Sequence, residues 1–228
     1  MDDFIINILN NLDHSESLFT KIMFLIVDNS LVKGGVILAV LWYLWFNEKS
    51  KNSHSHEKII ITLYGSLIAV IVGRSLANLL PYRARPILNP EFNFTHQIDE
   101  FSWLNVLSSF PSDHAILFFS IATGIFLISK KWGVFSYVYV LLIICFPRIH
   151  LGFHYPTDIL AGAGIGIFII WAISVLKIFR RLTKNTITLS IKYPGIFYTC
   201  FFLLSYQITT LFNESRALVS AMFHFFFL

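Results

Sequence analysis

Charged residues are scarce in this chain of 228 residues, where Asp, Glu, Lys and Arg together make up 13%, against roughly 25% in soluble domains. Hydrophobic residues reach 56%, and the mean hydropathy is +0.68. The sequence has no basic patch interleaved with aromatic residues, so it gives no support to a nucleic-acid partner. Its start lacks the positive charge of a signal peptide, and we expect no cleaved leader. The composition predicts an integral membrane protein.

Cysteine is also rare. Cys145 and Cys200 each fall inside an apolar run without metal-ligand spacing, and we interpret both as buried thiols. His54 and His56 stand in a polar hinge that offers no further ligands, so a metal clip there is disfavoured. The sequence therefore predicts no metal site.

Apolar runs separated by polar breaks predict a bundle of membrane helices. The predicted spans cover about residues 31–46, 58–80, 113–129, 132–147, 157–180 and 194–212. Residues 4–28 are interrupted too often by polar side chains and predict one or two interfacial helices. The predicted fold class is all-α, a polytopic membrane bundle of about six transmembrane helices.

The loops alternate in charge. Those at 47–58, 130–131 and 177–192 are rich in lysine and arginine, so the positive-inside rule places them in the cytoplasm. The loops at 81–111 and 148–158 then face outward. The unusual polar residues of the chain are thus predicted on one face of the membrane.

One of these outward loops has an unusual density of polar side chains. Pro156 predicts a helix start, so Asp158 lies about one turn from His154, where a carboxylate can hold an imidazole in one tautomer. Arg148 supplies a forked cation suited to phosphate oxygens. Taken alone, this stretch is equally consistent with a polar loop at a membrane surface.

A second cluster stands where the other outward loop meets the third predicted span. Ser112 predicts a helix cap and His114 follows it. The free N–H groups of that helix end, including that of Asp113, can bind an anion. Arg85 lies earlier in the same loop. Three sets of anion-binding or proton-transferring residues therefore converge on the predicted outer face.

Together these motifs resemble the type 2 phosphatidic acid phosphatase (PAP2) superfamily. The resemblance covers about residues 58–180 and rests on Arg85-Pro86, on Pro-Ser-x-His at 111–114 and on Arg-x5-His-x3-Asp at 148–158. The family's first motif is Lys-x6-Arg-Pro, and Asn78 stands here at the position of the lysine.

The resemblance implies a PAP2-like helical core at 58–180. Residues 1–57 would then hold the interfacial segment and the first transmembrane helix. Residues 181–228 would hold the last transmembrane helix and the tail.

The resemblance also implies a role for each motif residue. His154 would be the nucleophile that takes the phosphoryl group, oriented by Asp158. His114 would be the general acid and afterwards the base for water. The phosphate oxygens would be held by Arg85, Arg148, Ser112 and the backbone N–H of Asp113. No metal or cofactor is implied, since the arginines neutralise the charge.

The uncharged Asn78 leaves one cation of the family unaccounted for. Arg74, one turn earlier on the same predicted helix, and Arg83, two residues before Arg85, are equally good replacements, and all three side chains are candidate phosphate ligands. The opposing interpretation is that Arg74 snorkels or pairs with a carbonyl and that Arg83 binds lipid headgroups.

The implied function is a membrane lipid phosphatase, with a polyprenyl diphosphate favoured as substrate. Phosphatidylglycerophosphate, phosphatidate and a lipid A phosphate are alternative substrates, and phosphotransfer to a hydroxyl is an alternative reaction. A non-catalytic lipid-binding or transport protein is disfavoured, because a binder has no need of a paired nucleophile and acid. We expect the bacterial inner membrane, with the site on the periplasmic side; the oligomeric state stays open.

Overall fold

The computed structural model describes residues 1–11, 18–47, 53–92, 94 and 108–227, and in these residues helices joined by short connections, without a strand, make up the fold. The helices are α1 (Asp2–Asn11), α2 (Leu18–Asp28), α3 (Val36–Phe46), α4 (Ser53–Leu79), α5 (Asp113–Ile128), α6 (Lys130–Tyr139), α7 (Phe146–His150), α8 (Pro156–Val175), α9 (Lys177–Lys192), α10 (Pro194–Thr209) and α11 (Asn213–Phe227). Two π-helical turns, Leu31–Gly35 and Val140–Cys145, lead into α3 and α7. The predicted all-α fold class is confirmed.

Three continuous helices are long and apolar enough to cross a membrane: His54–Leu79, Lys130–His150 and Pro156–Val175. A fourth span results if Leu18–Asp28 and Leu31–Phe46 count as one helix bent by 70°. Helix α5 is apolar, but its 16 residues fall short of the roughly 20 that a span needs. The chain is an integral membrane protein, and the count of six spans stays a prediction.

Helix α5 lies at the centre of the bundle, with α4, α6 and α8 packed around it. Two glycines of α8 permit a close contact with α5. A Cβ atom on Gly166 would lie 2.3 Å from the carbonyl oxygen of Ile116, and one on Gly162 would lie 2.8 Å from that of Ser112. The spacing of these glycines places both on one face of α8 and lets the backbones approach closely.

The N-terminal segment forms two helices, α1 and α2, as the polar interruptions predicted. The prediction of a basic loop at 177–192 is wrong, because these residues form helix α9. Phe179, Thr183 and Ile187 recur at helical spacing and are less exposed than most of their neighbours, and Thr186 meets the Tyr64 hydroxyl of α4 at 2.6 Å. The preceding span accordingly ends at Val175 rather than near residue 180.

The two cysteines differ in environment. Cys145 is buried, as predicted, but Cys200 is exposed on α10, so the prediction of a buried thiol is wrong there. An apolar run marks a membrane helix without telling which face packs on protein and which on lipid.

The polar hinge before α4 has a structural function. His56 belongs to the first turns of α4. Its Nε2 lies 3.0 Å from the carbonyl oxygen of Trp45, and its imidazole stacks on the indole ring of Trp45. Within the described ranges, no group of three or more His, Cys, Asp or Glu side chains is placed to hold a metal ion.

Candidate active site

A polar cavity of about 730 Å³ lies between the starts of α5 and α8, the end of α4 and the bend between α2 and α3. Seven side chains of the predicted site line it: Arg74, Asn78, Arg85, Asp113, His114, Arg148 and His154. Asp158, Ser112 and Arg83 are the three predicted residues that do not belong to this lining. The motifs from three separate parts of the chain therefore meet around one cavity.

The loop that carries His154 is closed by its own backbone. The carbonyl of Arg148 accepts hydrogen bonds from the N–H groups of Phe153 at 2.8 Å and His154 at 3.2 Å. Gly152 makes the turn with φ of +68°, a left-handed conformation that favours glycine. A Cβ atom there would also lie 2.6 Å from the ring of Phe94. The turn fixes the histidine relative to the arginine.

The imidazole of His154 is held in one orientation by a backbone group. Its Nδ1 lies 2.9 Å from the carbonyl oxygen of Ser109, while the nearest oxygen of Asp158 is 3.8 Å away. Since a carbonyl only accepts, Nδ1 carries the proton and Nε2 keeps its lone pair. That Nε2 lies 3.4 Å from a terminal nitrogen of Arg85. The geometry of Nε2 suits a nucleophile beside a phosphate-binding arginine.

Burial lowers the pKa of His154 below its ordinary value, because the imidazolium form loses solvation. The positive charge of Arg85 acts in the same direction, whereas the carboxylate of Asp158 opposes both. The neutral imidazole therefore predominates at neutral pH.

Asp158 is completely buried, with 0% of its side chain exposed, and acts as a structural hub. One carboxylate oxygen accepts the N–H of Tyr155 at 2.8 Å and the hydroxyl of Ser109; the other accepts Arg83 at 2.5 Å. Ser109 thus links the carboxylate to the carbonyl that holds His154. The predicted one-turn neighbourhood of Asp158 and His154 is present, but Asp158 positions the imidazole mainly through Ser109.

Arg83 ties the N-terminal helix to this hub. Its guanidinium donates to Asp158, to Thr157 at 2.9 Å and to Asp2 at 2.8 Å, and it covers the ring of Tyr155. Asp2 in turn accepts the backbone N–H of Thr157 at 3.1 Å, in the first turn of α8. Although burial raises the pKa of Asp2, these hydrogen bonds outweigh it, and the pKa lies below the ordinary value. Arg83 is engaged with the protein itself.

Arg74, Asp113 and His114 form a chain of contacts on the other side of the cavity. A terminal nitrogen of Arg74 lies 2.7 Å from one oxygen of Asp113, and Nδ1 of His114 lies 2.9 Å from the other. The carboxylate therefore orients the ring of His114, with a proton on Nδ1 shared with Asp113 and Nε2 left to exchange a proton with a substrate.

The profile of the PAP2 superfamily matches residues 58–182. This chain belongs to the PAP2 superfamily.

Two curated PAP2 relatives come from Bacillus. The bacitracin transport permease protein BcrC of Bacillus licheniformis is 27% identical over 182 residues, or 76% of this chain and 81% of that protein. The undecaprenyl-diphosphatase BcrC of Bacillus subtilis is 28% identical over 71% of this chain and 76% of its own. The crystal structure of Aquifex aeolicus LpxE shares the fold, with a TM-score of 0.51 and 22% identity over 77% of this chain and 95% of that one.

Ser112 takes up the role of a helix cap within the PAP2 motif. Its hydroxyl accepts the N–H of Ala115 at 3.4 Å, and its own N–H donates to the carbonyl of Asp158 at 3.3 Å. The residue is buried. The cap predicted from the sequence is confirmed, and it joins the start of α5 to the start of α8.

Three contributors to this PAP2 site were missed from the sequence. Ser109 lies just outside the motifs. For Asp113, the backbone N–H was predicted to contribute, but the side-chain carboxylate was not. Lys33 lines the cavity from the helix bend. The sequence held a signal for it, since a charged residue inside an apolar run is by default a candidate functional residue.

Proposed function

We propose that this chain is a membrane lipid phosphatase that hydrolyses the terminal phosphate of a lipid phosphate or diphosphate. The observation that carries the proposal is the orientation of His154. Its Nδ1 is held by the carbonyl of Ser109, so the lone pair of Nε2 lies beside Arg85 in a cavity shared with His114. A binding protein needs the cations of this cavity but has no use for an oriented imidazole lone pair.

In the first step, Nε2 of His154 attacks phosphorus as the bond to the leaving oxygen breaks. Arg85 and Arg148 line the cavity and neutralise the charge on the equatorial oxygens. His114 is oriented by Asp113 and, in its protonated form, gives the Nε2 proton to the leaving oxygen. The products of this step are the phosphohistidine and the dephosphorylated headgroup.

In the second step, a water molecule attacks the phosphohistidine. The neutral imidazole of His114 accepts a proton from that water, which restores the acid for the next turnover. The P–N bond breaks, orthophosphate leaves, and His154 returns to its neutral form. The proton that His114 gives to the leaving oxygen in the first step is replaced by the proton it takes from water in the second.

A polyprenyl diphosphate is the substrate we favour. The relative from Bacillus subtilis is an undecaprenyl-diphosphatase by name, and the polar cavity is large enough for a headgroup with more than one phosphate. We place the protein in the bacterial inner membrane with the cavity facing outward. The support is the sequence pattern, in which basic segments, helix α9 among them, alternate with non-basic ones, because lysine and arginine collect on the cytoplasmic side.

The test is phosphate release by the purified protein from a panel of prenyl and glycerolipid phosphates, with His154→Ala as control. We expect the wild type to release phosphate and the variant to lose activity by a factor on the order of 10³ or more. Equal activity of the two proteins would refute the phosphohistidine. The wild type should be inhibited by vanadate, which mimics the transition state, and a panel without turnover would exclude the function itself.

A further inference from the structure

Lys33 is a cation that lines the cavity and lies outside the PAP2 motifs. It lies in the π-helical turn Leu31–Gly35, at the bend between α2 and α3, and a π turn inserted in a helix often marks a functional site. Only 8% of the residue is exposed. Its side chain reaches the same cavity as the two histidines.

The surroundings of Lys33 call for an anion. Within the described part of the chain, its ammonium donates one hydrogen bond, to the carbonyl of Val27 at 3.3 Å, and has no carboxylate at ion-pair distance. The positive charge of Arg148 acts on it unfavourably, and the carboxylates of Asp28 and Asp113 act in the opposite direction from beyond ion-pair distance. A buried cation is costly unless it is paired, and an anion between Lys33 and Arg148 would stabilise both.

The two arginines predicted to replace the lost lysine are less suited to this task. Arg83 is engaged with Asp158, Asp2 and Thr157. Arg74 does line the cavity, but its guanidinium is paired with Asp113 at 2.7 Å. Lys33 lines the cavity as a cation that has no carboxylate at ion-pair distance among the described residues.

The position of Lys33 favours the leaving-group side of the reaction. A Cβ atom on Gly34, the residue after Lys33, would lie 3.1 Å from the ring of Phe118, and that ring lies 6.4 Å from the ring of His114, the proposed acid. The nucleophile His154 lies beside Arg85 instead. Attacking and leaving atoms stand roughly in line on opposite sides of phosphorus. In a diphosphate, the leaving group is the second phosphate, which stays on the lipid.

We propose that Lys33 binds the lipid-attached phosphate of a diphosphate substrate and so makes the enzyme prefer diphosphates to monophosphates. This inference rests on the proposed function and refines its substrate class. The bond that breaks joins the bridging oxygen to the terminal phosphorus, and the products are orthophosphate and a prenyl monophosphate. Lys33 neutralises charge that develops on the departing phosphate.

The experiment compares farnesyl diphosphate with farnesyl phosphate, which share one chain and differ by the second phosphate. Lys33→Gln should lower kcat/KM for the diphosphate by about 30-fold, the loss expected for a hydrogen bond between charged groups, and for the monophosphate by less than about 3-fold. Lys33→Arg should retain most of the diphosphate activity. Lys21, exposed on α2, provides the matched control in Lys21→Gln, which should match the wild type on both substrates.

A binding measurement keeps the inference testable if the variant turns over poorly. Lys33→Gln should weaken binding of methylene diphosphonate, an uncleavable diphosphate, by about 10-fold or more and leave binding of orthophosphate unchanged. Equal losses on both substrates, or on both inhibitors, would overturn the inference, as would no loss at all. A wild type that cleaves neither substrate would instead overturn the proposed function, and the diphosphonate arm would still decide the role of Lys33.

Discussion

Gly166→Ala, which adds one methyl group, should move the part of the site on α5, with His114, away from the part next to α8, with His154. The Cβ atom would stand 2.3 Å from the backbone carbonyl oxygen of Ile116 and 3.0 Å from the backbone nitrogen of Ser120, where ordinary contact begins at 3.4 Å. A backbone atom cannot rotate away, so α8 must move from α5 by about 1 Å. A misplacement of about 1 Å can cost about 100-fold in rate, and overpacking costs about 1–3 kcal/mol of stability.

The assay is kcat for phosphate release in detergent, together with the thermal midpoint of unfolding, for Gly166→Ala. Gly164→Ala is the matched control, since a Cβ atom there has nothing within 4 Å, and it should keep both values. We expect kcat of Gly166→Ala to fall by about 100-fold, because His114 at the start of α5 loses its register with His154 before α8. Wild-type activity in Gly166→Ala would refute the idea that this contact sets the geometry of the site.

Three further predictions concern the groups around the two histidines. Asp113→Asn removes the charge that stabilises the His114 cation and should lower kcat by about 100-fold with a smaller change in KM, measured by steady-state kinetics. Ser109→Ala leaves the buried carboxylate of Asp158 without one donor and should cost about 1–3 kcal/mol of stability, measured by thermal unfolding. Because burial lowers the pKa of His154, the nucleophile stays neutral below the ordinary histidine pKa of about 6.5. The acid limb of the kcat/KM profile should therefore have its midpoint below about 6.5.

Each of these predictions has an outcome that contradicts it. If Asp113→Asn raised KM alone, the carboxylate would serve binding rather than proton transfer. If Ser109→Ala unfolded at the wild-type temperature, the hydroxyl would add nothing to the hub. An acid limb centred above about 6.5, on a substrate that does not itself titrate there, would mean that His154 is stabilised as a cation.

The positions of most helices could be predicted from apolar runs, because a helix that crosses the hydrocarbon core of a bilayer needs a long uninterrupted apolar sequence. The same rule failed for residues 177–192. These residues are polar enough to resemble a loop, yet one face of the helix packs on α4 through Thr186 and Tyr64. Hydropathy averages over faces, so it missed both this amphipathic helix and the exposed side of Cys200.

Much of the site was predictable because its residues stand in short motifs with fixed spacing. Arg85, His114, Arg148 and His154 do line one cavity. What spacing could not reveal is contact between distant segments. Lys33 reaches the cavity only because the chain bends by 70° between α2 and α3, an angle that no local pattern in the sequence encodes.

The turn that joins Arg148 to His154 gives the PAP2 spacing a physical meaning. Two N–H groups of the turn bond to the arginine's own carbonyl, so the stretch is a closed ring whose circumference is set by the number of residues in it. Arg148 and His154, the proposed phosphate-holding cation and the proposed nucleophile, therefore belong to one closed turn. An inserted residue would open the ring, and no compensating change elsewhere in the membrane helices could restore that internal distance.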